Sequence, residues 1–310
     1  MNNLHLHIMA VLVDIIIVNW NSGIATCNAI EKYLNQSSEK LICKIFVVDN
    51  GSDDNSLELL STKDITSIPC KKNIGFSKAC NLAYQLCTGD YILLLNPDTE
   101  SSPENLLPLV EFLETHQDYA ITGPAQLDST GVLLRTCGRF INFYNALSEV
   151  IGLSKLFPKL FVSAPIMKDW EHDTSRQVDH VMGSYMLIKR NVIKQVGFMD
   201  EGYFVYLEDL DLSKRVHQAG YKSFYNHEVA IMHVGGGTGN KDSDKRLLYY
   251  LNSRRYYWRK HLGKFQAVIL ISISFIIEPF LRCLDALIKN GRPTIKEILW
   301  AYIHYIKGAL

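Results

Sequence analysis

The stretch VLVDIIIVNWNSG, Val11 to Gly23, decides the fold. Val11 to Val18 is an almost unbroken β-branched run, the composition of a central strand buried on both faces. Asn19 to Gly23 is turn chemistry, and Ile24 to Leu34 reads as the helix that follows. Lys44 to Val48 (KIFVV) is a second strand, ending in Asp49-Asn50-Gly51-Ser52-Asp53-Asp54, and Ser56 to Leu60 begins another helix. Asn73 to Phe76 (NIGF) is a tight loop before a helical stretch from Ser77 to Cys87. Tyr91 to Leu95 (YILLL) is a third strand, stopped by Asn96-Pro97-Asp98. Strand, helix, strand, helix, strand predicts an α/β chain with a parallel, doubly wound sheet. Ligands bind such sheets beyond the carboxyl ends of the strands, which here are Asn19, Asp49 and Asn96 to Asp98.

Further along, Gln126 to His180 is less regular, with two prolines between Phe157 and Pro165. Val181 to Ile188 reads as a strand, Asn191 to Val196 as a short helix and Leu207 to Ala219 as a longer one. Ala230 to His233 leads into Gly235-Gly236-Gly237, a flexible loop. After Lys245 the character changes. Arg246 to Lys264 is basic and rich in aromatics, and Phe265 to Leu281 is apolar apart from Gln266, Ser272, Ser274, Glu278 and Pro279. The expected division is a catalytic domain over 11–240, with halves meeting near residue 125, and a helical extension over 246–310.

Of 310 residues 47% are hydrophobic, enough for a sizeable core. Lysine plus arginine equals aspartate plus glutamate at 32 each, which argues against general electrostatic binding of nucleic acid. The seven cysteines are odd in number and scattered, without a C-x-x-C. That fits reduced thiols in a cytoplasmic compartment better than a disulfide framework or a zinc cage. No charged segment followed by a cleavable apolar stretch marks a secretory signal near the N-terminus.

Asp49, at a strand end, can accept a hydrogen bond from the N3–H of a pyrimidine base, or it can simply form a turn. Asp98, just past a buried strand and aimed by Pro97, can bind a metal that bridges a diphosphate, although Asn-Pro-Asp is also ordinary turn sequence. Glu208, Asp209 and Asp211 open a helix behind Tyr203-Phe204-Val205-Tyr206. Asp211 and Arg215, spaced i,i+4, read as a solvated pair. Asp209 shares the inward face of Leu212 and Val216, where a carboxylate beside aromatics suits a general base. His233 precedes three glycines, which favours ligand contact over a purely structural role.

Taken in order, DIIIVNWNSG, VVDNGSDDNS, NIGFSKACN, YILLLNPDTE, GSYMLIKRNVIKQVGFMDEGYFVYLEDLDLSKRVHQAGY and AIMHVGGG resemble glycosyltransferase family 2, in its bacterial rhamnosyltransferase-like branch. The resemblance runs from Asp14 to Gly237. It implies a GT-A fold, a mostly parallel nucleotide-binding sheet flanked by helices. Asp49 then resembles the base-binding aspartate, Asp98 the last acid of a D-x-D metal motif, Asp209 the catalytic base and His233 a second metal ligand. Asn73, Gly75 and Phe76 match the N-x-G-F segment beside the donor, and Asn19, Asn50, Asn96 and Gly183 complete the donor-binding set. The departure is Asn96, which stands where D-x-D has its first acid and brings no charge to the metal.

The resemblance implies an inverting transferase that uses Mg²⁺ or Mn²⁺ and a nucleotide-diphosphate sugar, dTDP-L-rhamnose above UDP-galactofuranose, UDP-galactose or UDP-N-acetylglucosamine. Its acceptor would be a glycan on a polyprenyl diphosphate, in synthesis of surface polysaccharide at the inner face of a bacterial membrane. A nucleotide-sugar sensor, for which Asp209 and His233 would be idle, is the non-enzymatic alternative. A dinucleotide or methyl-donor enzyme is disfavoured because NWNSG replaces G-x-G-x-x-G after the first strand. Arg254, Arg255, Arg259, Lys260 and Lys264, set among tyrosines and Trp258, are the mixture that meets anionic headgroups. Phe265 to Leu281 is short of a full span, so an interfacial or re-entrant segment is expected, with a core helix or homodimer contact as the alternative.

Overall fold

The computed structural model describes residues 10–35, 39–235, 245–289 and 293–308. At its centre β1 (Val11–Asn19) divides its side chains by parity. Ile16 and Val18 enter one hydrophobic cluster, and Val13, Ile15 and Ile17 enter another on the opposite face. This is the two-sided burial that the β-branched run predicts. One polar residue interrupts it. Asp14 is fully buried, and its Oδ2 accepts the backbone N–H groups of Thr88 and Gly89, both at 2.6 Å, which fixes the turn before the next central strand.

Next come α1 (Gly23–Asn35), β2 (Leu41–Asp49), α2 (Ser56–Ser61), β3 (Thr66–Pro69), α3 (Phe76–Tyr84) and β4 (Tyr91–Leu95). These four strands pair in parallel in the order β3-β2-β1-β4. β3 escapes a sequence reading because it is a short, mostly exposed edge strand, ending at the one place a sheet tolerates proline.

The second half carries β5 (Thr99–Glu100), α4 (Pro103–Thr115), β6 (Tyr119–Leu127), β7 (Cys137–Gly138), α5 (Phe143–Val150) and α6 (Leu153–Leu156). It continues with β8 (Arg176–Val178), β9 (His180–Val181), β10 (Tyr185–Lys189), α7 (Arg190–Val196), α8 (Glu208–Gln218) and β11 (Lys222–His233). The sheet runs on as β10-β6-β11-β5, with β8 also on β11. β10 is antiparallel to both β4 and β6, so the sheet is mostly parallel but mixed. A mostly parallel sheet is as expected, and β10 runs against its neighbours because the chain re-enters the sheet from its far end after the excursion over 128–184. The single strand expected over Val181–Ile188 is also two pieces. β9 pairs with β7 in a separate small sheet, and Met182 to Ser184 turn the chain into β10.

The C-terminal part is α9 (Arg246–His261), α10 (Lys264–Ile276), α11 (Glu278–Lys289) and α12 (Ile295–Lys307). The headgroup-facing role expected for Arg254 and its aromatic neighbours Tyr257 and Trp258 is corrected, while Arg259, Lys260 and Lys264 are exposed. Tyr257 and Trp258 are buried in a cluster with Tyr203, Leu207 and Leu210 from before and within α8, and with Leu270 and Ile271 of α10. Arg254 is buried beneath the stack, its Nη1 3.0 Å from Glu278 Oε1 and its Nη2 on Glu278 Oε2, with Arg282 Nη2 2.8 Å from Oε1. Glu278, which looks like an interruption of an apolar run, is the counter-charge of this arginine. What α10 and α11 expose is apolar instead: Phe265, Val268, Ile276, Phe280, Leu284 and Ile288. No single described helix is long and apolar enough to cross a membrane, although α10 and α11, bent by 45°, pass that test together.

Removing one partner of a buried ion pair leaves the other charge uncompensated, at a cost of about 3–5 kcal/mol. Glu278→Ala should therefore lower the thermal unfolding midpoint of the whole chain, measured by calorimetry. An unchanged midpoint would mean that the extension does not share one cooperative unit with the sheet.

Candidate active site

The carboxyl ends of β1 and β2 open onto a cavity walled by Trp20, Asn50, Asn73, Phe76, Arg246 and Tyr249. Asp49 does not reach it. Its carboxylate is fully buried and accepts from Asn19 Nδ2 at 2.7 Å, Ser52 Oγ at 2.5 Å and Ser52 N–H at 3.2 Å. Asn19 is buried too, and its Oδ1 accepts from Thr26 Oγ1 at 2.7 Å. These two residues order the strand ends, and their neighbours Trp20 and Asn50 face the cavity. Asn50 also holds the NIGF loop, donating to Asn73 Oδ1 at 3.1 Å and accepting from Ile74 N–H at 2.9 Å. Gly75 is required there: its φ is +90°, and a Cβ would stand 2.7 Å from Phe204 O. Phe76 N–H donates to that same carbonyl at 2.6 Å. Trp20 lies in the Asn19–Gly23 turn at the strand end, whereas nothing in the sequence assigns Arg246 or Tyr249 to this cavity. Arg246 and Tyr249 come from α9, and only the packing of the extension brings them here.

Asp209 sits in the first turn of α8, just after two non-glycine residues in the left-handed region, Tyr206 (φ +71°) and Leu207 (φ +67°). Such strain costs of order 1–3 kcal/mol per residue and collects at functional sites. Asp209 Oδ2 accepts Gly183 N–H at 2.8 Å, and Oδ1 accepts Leu210 N–H at 2.8 Å. A Cβ on Gly183 would lie 3.1 Å from Oδ2, so this glycine, expected beside the donor, is packed against the carboxylate instead. Burial first, then the charge of Asp209, push the neighbouring Glu208 carboxyl well above the usual carboxylate range.

Asp211 is not the solvated partner of Arg215. It is fully buried, with Arg215 Nε at 2.8 Å, Lys260 Nζ at 2.7 Å and His261 Nε2 at 2.6 Å. Burial works against its charge, but hydrogen bonds from His261 and Lys260 and the Arg215 guanidinium outweigh it and hold the carboxyl below its usual range. The i,i+4 spacing shows one of these partners, while the other two arrive from the far end of α9.

Asp98 and His233 meet: Oδ1 lies 3.2 Å from Nε2, with the side chains 15% and 14% exposed. Val234 N–H donates to Asp98 O at 3.0 Å, and Thr99 pairs with His233, so the 96–98 loop is stitched to the end of β11. Asn96 N–H donates to Ser184 O at 2.9 Å. Adjacent ligands on one octahedral ion stand about 3 Å apart, so this oxygen and nitrogen fit a shared divalent cation. Among the described residues no three His, Cys, Asp or Glu gather into a metal site. Gly236 and Gly237 of the expected loop lie outside the described residues.

Residues 14–197 match the model of glycosyl transferase family 2. The chain is 22% identical over 270 residues to the N-acetylglucosaminyl-diphospho-decaprenol L-rhamnosyltransferase of Mycobacterium tuberculosis, covering 82% of this chain and 88% of that protein. It is 27% identical over 207 residues to rhamnosyltransferase WbbL of Escherichia coli K12, covering 61% and 72%. In fold it is similar to the mannosyltransferase PcManGT of Pyrobaculum calidifontis, solved with GDP-Man and Mn²⁺ (TM-score 0.55, 13% identity, 96% of this chain and 87% of that one). It is likewise similar to residues 1–349 of TarS from S. aureus (TM-score 0.55, 11% identity, 94% and 78%).

Because the folded-state Asp211 carboxyl is held low, its contribution is full above the ordinary carboxylate range and fades as pH falls through the folded value. Asp211→Asn should cost about 3 kcal/mol at pH 7. The gap between variant and unmodified protein should narrow in denaturant titrations repeated toward pH 3. A gap independent of pH would show that the charge of Asp211 does not stabilise the fold.

Proposed function

The chain belongs to glycosyl transferase family 2, in its rhamnosyltransferase-like branch and with the GT-A fold, and from that premise we propose that it transfers L-rhamnose from dTDP-L-rhamnose, with inversion, to a hydroxyl of a lipid-linked glycan. One observation carries the mechanism. Gly183 N–H binds Asp209, and the next residue, Ser184, accepts from Asn96 N–H, so two consecutive residues connect the base to the 96–98 loop.

Trp20 offers a flat apolar face to the nucleobase. Asn50 offers an amide with both donor and acceptor capacity, matched to the imide edge of thymine or uracil. Asp98 and His233 would hold a divalent cation against the diphosphate. Such an ion supplies Lewis-acid neutralisation of the leaving group's charge. Asp209, oriented by two backbone donors, takes the proton of the acceptor hydroxyl as its oxygen attacks the anomeric carbon. A single displacement by this oxygen inverts the anomeric centre. The lipid-linked acceptor is supported by the decaprenol named in the mycobacterial relative, and by the apolar face of α10 and α11, which we assign to the membrane surface on the acceptor's side.

Asp209→Asn should bind donor normally and lose about two to four orders of magnitude in turnover. Asp98→Ala and His233→Ala should each weaken donor binding in the presence of Mn²⁺ but not in EDTA. Near-normal turnover in the first, or full activity of the unmodified protein in EDTA, would overturn this mechanism. For the membrane, Leu284→Ser with Ile288→Ser should reduce co-sedimentation with anionic vesicles while leaving transfer to a water-soluble acceptor intact. Undiminished co-sedimentation would remove α11 from the contact.

A further inference from the structure

A cavity of about 310 Å³ lies between α9 and the Gly202–Phe204 segment that precedes α8, walled by Phe204, Tyr249, Asn252, Arg255, Tyr256 and Arg259. The α9 residues recur at helical spacing, so they share one face of that helix. Phe204 and Tyr249 also wall the cavity at the ends of β1 and β2, with ring centroids 4.9 Å apart. The two cavities therefore meet at one aromatic partition.

The charge of this second cavity is one-sided. Among the described residues no carboxylate lines it. Asp200, which Tyr256 Oη reaches at 3.1 Å, is taken up by Lys260 Nζ at 2.5 Å. Arg255 and Arg259 stand one helical turn apart, so their side chains are neighbours. The hydrogen-bond acceptors that Arg255 meets are neutral. Its Nη1 donates to Tyr305 O at 3.2 Å, and its Nη2 to Gly308 O and Asn252 Oδ1, both at 3.1 Å. Burial disfavours the charge of Arg255, Tyr305 works the other way, and Arg259 disfavours it again. An anion in the cavity would relieve both arginines.

We propose that this cavity binds the diphosphate of the lipid-linked acceptor, with Arg255 and Arg259 as its counter-charges. This rests on the reading of the chain as a transferase with such an acceptor. A guanidinium presents paired N–H donors to phosphoryl oxygens, and two guanidiniums a turn apart match two linked phosphoryl groups. Asn252 and Tyr256 supply neutral polar groups beside them. Arg259 stands two residues before the end of α9, and the exposed Lys264 and Phe265 open α10, whose apolar face is assigned to the membrane. The diphosphate then lies between the donor cavity and the start of α10. Glycan, diphosphate and lipid follow one another in the same order along such an acceptor.

The test is binding of geranyl diphosphate to the full chain in EDTA, followed by ³¹P NMR. The unmodified protein should bind it, and Arg259→Gln should weaken binding about tenfold to a hundredfold, as loss of hydrogen bonds to a charged group does. Arg259→Lys, which keeps the charge, should bind more tightly than Arg259→Gln. Asp98→Ala, which addresses the cation at the donor, should bind as the unmodified protein does. No binding by the unmodified protein, or equal binding by Arg259→Gln, overturns the proposal. Loss in Asp98→Ala alone would place the diphosphate in the donor site and overturn it too. Co-sedimentation with phosphatidylglycerol vesicles should be alike for Arg259→Gln and the unmodified protein. A loss there matching the loss on geranyl diphosphate would assign the arginine to bulk headgroups instead. None of these readouts needs turnover, so failure of this site is distinct from failure of the proposed transfer, which Asp209→Asn reports.

Discussion

Gly183 donates its N–H to Asp209 Oδ2 at 2.8 Å, and Ser184 accepts from Asn96 N–H at 2.9 Å. These two bonds come from opposite sides of one break in the chain, where β9 leaves the small sheet and β10 joins the large one antiparallel to β4. The break must stay open and carry no side chain at residue 183, because a Cβ there meets the carboxylate. The 96–98 loop, the end of β11 that carries His233, and the first turn of α8 are thereby referred to a single piece of backbone. The Asp209 carboxylate and the Asp98–His233 pair held this way keep their spacing without a long-range side-chain network, which is the positioning the proposed displacement would require.

α9 extends that frame into the C-terminal helices. Its first residues, Arg246 and Tyr249, wall the cavity at the ends of β1 and β2. Its middle residue, Arg254, is locked to Glu278 of α11, and its last turn delivers Lys260 and His261 to Asp211, two residues from Asp209. Buried ion pairs add little net stability over apolar packing, but breaking one is expensive, so they act as registers between elements. Arg254, Tyr257 and Trp258 of α9 are therefore internal, while Tyr256, Arg259 and Lys260 remain exposed. The apolar face that remains for a lipid surface lies one layer out, on α10 and α11.

The sequence made legible whatever depends on local pattern. β1 follows from a β-branched run, and Asp98, Asp209 and His233 follow from motif order along strand ends and helix starts. The structure places Asp98 and His233 3.2 Å apart although they are distant in the chain. What escaped depends on partners remote in sequence. Asp211 looks solvated until Lys260 and His261 are brought to it, and Arg254 looks like a headgroup contact until Glu278 folds back. Asp49 and Asn50 differ by one position in a strand end, where parity alone decides which faces the cavity, and composition does not report parity at a turn. β10 reads as a strand, but nothing in its residues states its direction.

The central claim is that one carboxylate, Asp209, deprotonates an acceptor oxygen that displaces the nucleoside diphosphate directly. The anomeric configuration of the transferred sugar tests this most directly, read by NMR on the product formed from a donor of known configuration. The account predicts inversion, a β-linked product from an α-linked donor or the reverse. Retention of configuration, which a single displacement from the opposite face cannot give, would contradict it.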